Sequence, residues 1–197
     1  MPMSKCLVMF VEGETEIEFY KMLISIIRSR HSKGILDTKI LYKNLKGIGG
    51  YKKEANRKFK KDVIVNNQGY DFTVALCRDT DVFDFAQKPK INWNSVEQEL
   101  KVAGAKRVIH IQAVKAIEDW FLYDLEGICS YLKIPKTKPV GKNGYAKLGY
   151  LFKKTNRVYL KGRLVKGFVE QLDMDKITDQ IKEEISPIYK MLGVRMK

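Results

Sequence analysis

The chain has 197 residues, with 37 Lys and Arg against 23 Asp and Glu and a formal net charge of +14; its pI is near 9.6, and its length suits one domain or one domain with an appendage. Apolar residues make up 45% and aromatics 11% of it, enough to bury a core and unlike a disordered polyelectrolyte, so the basic excess sits on a folded surface. The longest apolar run, Cys6 to Val11, is six residues, too short for a membrane span or the apolar region of a signal peptide, which predicts a cytoplasmic protein. Cys6, Cys77 and Cys129 are far apart and odd in number, and His31 and His110 are the only histidines; a disulfide framework, a CxxC zinc site and a His-rich metal cluster are excluded.

In chain order, Lys5 to Val11 reads as a buried parallel strand that stops at Glu12-Gly13. Thr15 to Arg30 is a helix, with Ile17, Tyr20, Leu23 or Ile24 and Ile27 at helical spacing and Thr15 as its N-cap. Thr38 to Leu45 is a strand. Lys52 to Val65 is a basic helix with Ala55, Phe59 and Val63 on one side. Asp71 to Cys77 is a second strongly apolar strand, ending in Arg78-Asp79-Thr80-Asp81; Trp93 to Ala103 is helical, Arg107 to Val114 is a fourth strand, and Ile117 to Leu132 is a long apolar helix. Trp120, Phe121 and Leu125 read as its buried face. After Pro135 the stretch is loop-rich, punctuated by Pro139, Gly141, Gly144 and Gly149, before helical segments over Leu164 to Leu172 and Ile177 to Leu192.

Alternating strands and helices predict an α/β fold, an open and mainly parallel four-stranded sheet flanked by helices. Residues 1–133 form this core and 134–197 a basic, loop-rich and helical C-terminal elaboration packed on the sheet. Ligands in such sheets bind beyond the carboxyl ends of the strands.

The charge is unevenly placed. Gly127 to Val169 contains no Asp or Glu, yet holds Lys133, Lys136, Lys138, Lys142, Lys147, Lys153, Lys154, Arg157, Lys161, Arg163 and Lys166. A second run, Lys39 to Lys61, has nine Lys and Arg against Glu54 alone. Clustered cations release counterions from a phosphate backbone, so nucleic acid is the natural partner; a solvated, solubilising face is the plainer alternative. Tyr131, Tyr145, Tyr150, Phe152, Tyr159 and Phe168 interleave the acid-free stretch, where they could stack bases or serve the core.

The two strongest strands both end in carboxylates. Should they be neighbours, Glu12, Asp79 and Asp81 converge at one sheet edge, where adjacent like charges raise one another's pKa unless a cation intervenes. Oxygen-only ligands suit Mg²⁺ or Mn²⁺. Glu12 and Glu16 are four apart and share a helix face. A surface turn at Asp79-Thr80-Asp81, and glutamates favouring the positive end of a helix dipole, are the alternatives.

Taken in order, the Val11-Glu12-Gly13-Glu14-Thr15-Glu16 turn and the apolar strand ending in Asp79-Thr80-Asp81 resemble the TOPRIM domain of topoisomerases, bacterial primases and OLD-family nucleases, over roughly residues 5 to 115. Glu16 makes the first motif more similar to the OLD-type nucleases and the small stand-alone TOPRIM proteins of bacterial defence loci. The segment Glu118 to Asp124 resembles a Glu-x-Trp-Leu-Leu-x-Asp segment of those small proteins. The resemblance implies a Rossmann-like TOPRIM fold and a pair of Mg²⁺ or Mn²⁺ ions held by Glu12, Glu16, Asp79 and Asp81, with Glu118 joining them; in the topoisomerase and primase branches the residue at Glu12 acts instead as general acid or base. Tyr159-Leu160-Lys161 is similar to a Tyr-x-Lys segment, which makes Lys161 the candidate for stabilising charge on the scissile phosphate, or else one lysine of a basic patch. Arg78 stands beside the metal motif, to contact phosphate or to pair with a neighbouring carboxylate; Lys153, Lys154, Arg157, Lys161 and Arg163 complete the candidate nucleic-acid-binding set.

The expected function is therefore that of a metal-dependent endonuclease with a catalytic set of Glu12, Asp79, Asp81 and Lys161, which by resemblance serves anti-phage defence or acts as a toxin-like effector. The alternatives are a non-catalytic nucleic-acid-binding or regulatory module and, more weakly, a nucleotidyl transferase. No GxxxxGK[ST] motif is present, so the ATPase that accompanies TOPRIM in full-length OLD proteins would be a separate partner.

Overall fold

Four runs rich in β-branched and aliphatic residues build the sheet, and the computed structural model describes residues 4–31, 38–80 and 90–195. The strands are β1 (Ser4–Val11), β2 (Lys39–Asn44), β3 (Tyr70–Asp79) and β4 (Arg107–Ala113). They pair in the order β2-β1-β3-β4, every pair parallel, an α/β arrangement compatible with a Rossmann-like fold. β1 and β3 are central, which is why their sequences are continuously apolar rather than alternating.

The sheet separates two cores. On one face Leu7, Met9 and Val11 of β1 and Ala75 and Cys77 of β3 pack with α1 (Glu14–Arg30) through Phe19, Leu23 and Ile27. On the other, Cys6, Val8 and Phe10 pack with Val74 and Leu76. That second core is closed by α2 (Gly50–Lys53), α3 (Ala55–Lys58), a π-helical turn over Phe59–Ile64, and α4 (Trp93–Val102). Ala55, Phe59 and Val63 do share one buried side, but the expected single helix is jointed at Glu54 and widens at Phe59.

The first core continues into the C-terminal third. Ile117 to Leu132 is a broken element: α5 (Ile117–Phe121), a 3₁₀ turn over Leu122–Asp124, and α6 (Leu125–Leu132). Asp124 is buried at the break, where its Oδ2 accepts the Asp173 backbone N–H at 2.8 Å, and this satisfied polar joint replaces the continuous helix that the apolar pattern suggests. The stretch read as loop holds α7 (Gly144–Lys153), capped by Asn143, whose side chain accepts from the Ala146 N–H. Gly144 starts it because a Cβ there would lie 2.5 Å from the Asp119 nitrogen. Conversely, of Leu164 to Leu172 only Val169–Gln171 forms a 3₁₀ turn, and the last helical pattern splits into α8 (Met174–Gln180) and α9 (Ser186–Leu192), the latter with a proline in its first turn.

Leu148, Leu151, Phe152, Phe168, Ile177 and Ile188 are all buried in the same cluster as β1 and β3. Phe168 alone stacks against Phe121, Tyr131, Phe152 and Tyr159. The C-terminal third thus shares its core with the sheet. All three cysteines are buried and free, and among the described residues no helix is long and apolar enough to cross a membrane.

Candidate functional site

Parallel pairing of β1 with β3, in register from Ser4 with Tyr70 to Phe10 with Leu76, brings both strands out at the same sheet edge. The acidic turn after β1 and Asp79 at the end of β3 are neighbours there. Asp81 lies outside the described residues.

Glu16 occupies the third position of α1 behind an N-cap that is Gly13, in extended conformation, rather than Thr15. Its Oε2 accepts the backbone N–H of Glu12 at 2.9 Å, so one glutamate holds the backbone of the other and draws α1 tightly onto the end of β1. Thr15 is displaced from capping by a tertiary contact, its hydroxyl donating to the carbonyl of Arg163. Asp79 is buried; its Oδ1 accepts the Ile117 N–H at 2.9 Å and its Oδ2 lies 2.6 Å from the Lys161 Nζ. The β3 end is tied to the β4–α5 turn by Thr80, whose N–H donates to Ala113 and Lys115 carbonyls and whose hydroxyl accepts from the Lys115 N–H. That turn delivers Glu118, only 1% exposed, with Oε1 accepting from the Tyr159 hydroxyl at 3.2 Å and Oε2 at 3.9 Å from the Lys161 Nζ.

Lys161 reaches this cluster because its loop is clamped to the β1–α1 turn. The Glu14 N–H donates to the Gly162 carbonyl at 2.8 Å. A Cβ on Gly13 would stand 2.3 Å from the Gly162 Cα, a distance only a glycine permits. Gly162 itself has φ +76°, so both glycines of the contact are required by backbone geometry.

The electrostatics follow from packing acids together out of water. Burial, and then the charges of Asp79, Glu12 and Glu118, push the Glu16 carboxyl well above the ordinary range. Glu118 is raised to about 7, by burial first, with Asp79 adding to it and Lys161 opposing it. Tyr159 is likewise raised by burial and by Glu118, so its hydroxyl stays a donor. Of the acids, Glu12, Glu14 and Glu16 line a pocket of about 810 Å³ together with Lys46, Lys161 and Arg163, whereas the buried Asp79 and Glu118 are not part of its lining. Acids and cations therefore face one cavity.

The donor set is all oxygen, and its members raise one another's proton affinity, the chemistry a hard divalent cation relieves. Among the described residues, however, no group of three His, Cys, Asp or Glu side chains is set to hold a metal ion; Lys161 supplies the counter-charge to Asp79.

The basic candidates divide. Lys161 and Arg163 line the pocket, whereas Lys153, Lys154 and Arg157 are exposed around the end of α7 and do not. Lys154 lies over the Tyr150 ring and Arg157 over Tyr131. Arg78 makes no ion pair with a carboxylate among the described residues: it faces the second core and stacks on Trp93. Of the interleaved aromatics, Phe152, Tyr159 and Phe168 are core residues, while Tyr145 is 40% exposed. Sequence reasoning missed Tyr159 as the partner of Glu118, the Gly13–Gly162 contact, and Asn44, Lys46 and Gly47 on the pocket wall. The glycine inside Lys161-Gly162-Arg163 was the available signal for a close backbone approach.

Together these features define an α/β protein with an all-parallel sheet and an acidic, lysine-bearing cleft at its C-terminal edge. No protein-family model, curated protein or solved structure matches the chain.

Proposed function

We propose that the protein is a divalent-metal-dependent nuclease of TOPRIM-like design, cutting nucleic-acid phosphodiester bonds. The observation that carries this reading is the convergence of Glu12, Glu16, Asp79 and Glu118 with Lys161 beside a cavity rimmed by Lys46 and Arg163. Glu12 and Asp79 follow adjacent parallel strands in the order that the TOPRIM resemblance implies. Glu12, Glu16, Asp79 and Asp81 would hold Mg²⁺ or Mn²⁺, with Glu118 behind them. When bound, such ions activate water and neutralise charge on the leaving oxygen.

The chain's own residues do the rest. Lys161, about a third exposed and anchored by Asp79, directs its ammonium at the cavity where a phosphate would sit. Tyr159 holds Glu118 and so fixes the depth to which Lys161 reaches. Arg163 and Lys46 attract the backbone on either side of the cleft.

A non-catalytic nucleic-acid-binding module is favoured by one observation: Lys161 already neutralises Asp79 at 2.6 Å. Incubating the protein and Asp79→Ala with labelled DNA and RNA, in Mg²⁺, Mn²⁺ or EDTA, separates the two. We expect metal-dependent cleavage that Asp79→Ala abolishes while binding persists or strengthens. Cleavage in EDTA, or by Asp79→Ala, would overturn the mechanism, and salt-sensitive binding without cleavage in any metal would establish the module.

A further inference from the structure

Arg78 precedes Asp79 on β3, and alternation along the strand sends the two side chains to opposite faces of the sheet. Arg78 is 8% exposed. Its guanidinium Cζ lies 3.7 Å from the centre of the half-buried Trp93 ring, a stack that uses only the flat face of the cation and leaves its N–H donors pointing outward in the plane. Two donor nitrogens, Nε and Nη1, are buried without a hydrogen-bond acceptor among the described residues. Among the described residues no carboxylate stands within ion-pair distance of it, although the charge of Glu12 acts on it from further away; the nearby Tyr51 hydroxyl donates to the Phe10 and Cys77 carbonyls.

A buried N–H donor with no acceptor is costly, and a buried charge with no counter-charge more so. Stacking on indole compensates neither in-plane donor. If packing alone were needed here, an apolar side chain would fill the space without that cost. The surroundings point to what completes the site. Trp93 belongs to an aromatic wall with Tyr51 at 5.1 Å and His110 at 6.4 Å. The position lies at the carboxyl end of a central parallel strand, where ligands of such sheets bind. A planar guanidinium fork matches the paired oxygens of a phosphate.

We propose that Arg78, stacked on Trp93, is a second anion site, which takes a phosphate group of a nucleotide or polynucleotide on the sheet face opposite the carboxylate cleft. One phosphate cannot occupy both positions, because Arg78 and Asp79 diverge from consecutive residues. Binding at Arg78 does not require the carboxylate cleft to cut anything.

Trp93 reports on the site directly. The chain has two tryptophans, and the other, Trp120, is 1% exposed within the first core. Inorganic phosphate, a mononucleotide and a short oligonucleotide are titrated separately into the full chain in EDTA, at constant ionic strength with chloride as the control. We expect a saturable change in tryptophan emission that Trp93→Phe removes, and an affinity at least about tenfold lower in Arg78→Lys, which keeps the charge and loses the fork. Saturation by inorganic phosphate marks a site for a lone phosphate group; saturation by the oligonucleotide alone marks the polynucleotide as its source. The absence of a saturable response to all three in the wild-type chain overturns the proposal, as does wild-type affinity in Arg78→Lys. Should Arg78→Lys fail to fold, judged by thermal melting, the wild-type titration and its loss in Trp93→Phe still decide the matter.

Discussion

Asp79 and Arg78 are adjacent on one strand, both buried and both charged, yet the two faces of the sheet treat them differently. Asp79 receives a backbone N–H from Ile117 and the ammonium of Lys161. Arg78 receives the flat face of Trp93 and, among the described residues, no ion pair. The difference lies in what covers each face. The first is covered by α1 and by the C-terminal third, whose 158–164 loop brings a lysine to the strand ends; the second is closed by shorter helices that bring an aromatic wall and, among the described residues, no ion-pair partner for Arg78. A burial environment is thus set less by depth than by which distant segment reaches it.

The dependence of the first face on the C-terminal third can be broken most severely at Phe168. Replacing it with Ala removes a fully buried ring that touches four other aromatics. We expect a loss of about 3–5 kcal/mol in denaturant unfolding, with sheet and C-terminal signals lost in one transition. A separate, earlier transition of the C-terminal third would show that the shared core does not couple them.

Next in size is Glu118. Its carboxyl titrates near 7 in the folded chain against 4.5 for an ordinary glutamate, so the unfolded chain releases its proton first as pH rises. The stabilisation is complete below about 4.5, declines through that interval and is lost above about 7. Glu118→Gln, which keeps an acceptor for Tyr159, should flatten this decline and be more stable than the wild type at pH 8 by up to about 3 kcal/mol. Parallel pH profiles of melting temperature for the two proteins would refute the assignment.

The clamp between the two regions can be tested at Gly13. An added Cβ would meet the backbone of Gly162, so Gly13→Ala must push the 158–164 loop away, at roughly 1–3 kcal/mol. Because that loop carries Lys161, limited proteolysis near Arg163 should accelerate, and any metal-dependent cleavage by the protein should fall with it. Unchanged proteolysis and stability would mean that the loop is held by Thr15 and Glu14 without the glycine contact.

Much of this architecture was legible residue by residue. The apolar runs at Cys6–Val11 and Phe72–Cys77 marked central strands because only a strand buried on both faces needs such continuity. Carboxylates after two such strands marked the edge to examine, since parallel strands all end on one side. The C-terminal third was read poorly for a physical reason. Gly144 and Gly149 lie within the segment that became α7, yet glycine in sequence signals either a break or a close packing contact, and only Asp119 against Gly144 distinguishes them. Pattern also suggested Thr15 as the cap of α1, whereas a carbonyl 148 positions away takes its hydroxyl.

Local composition therefore determined the strands, their burial and the acidic character of their ends, because those properties depend on side chains a few residues apart. Only the tertiary structure decided which cation meets which carboxylate. Lys161 was one of eleven Lys and Arg in an acid-free stretch, indistinguishable from the others by charge alone. A two-glycine backbone contact brings it to Asp79, leaving Arg78, one residue away, without an ion-pair partner among the described residues.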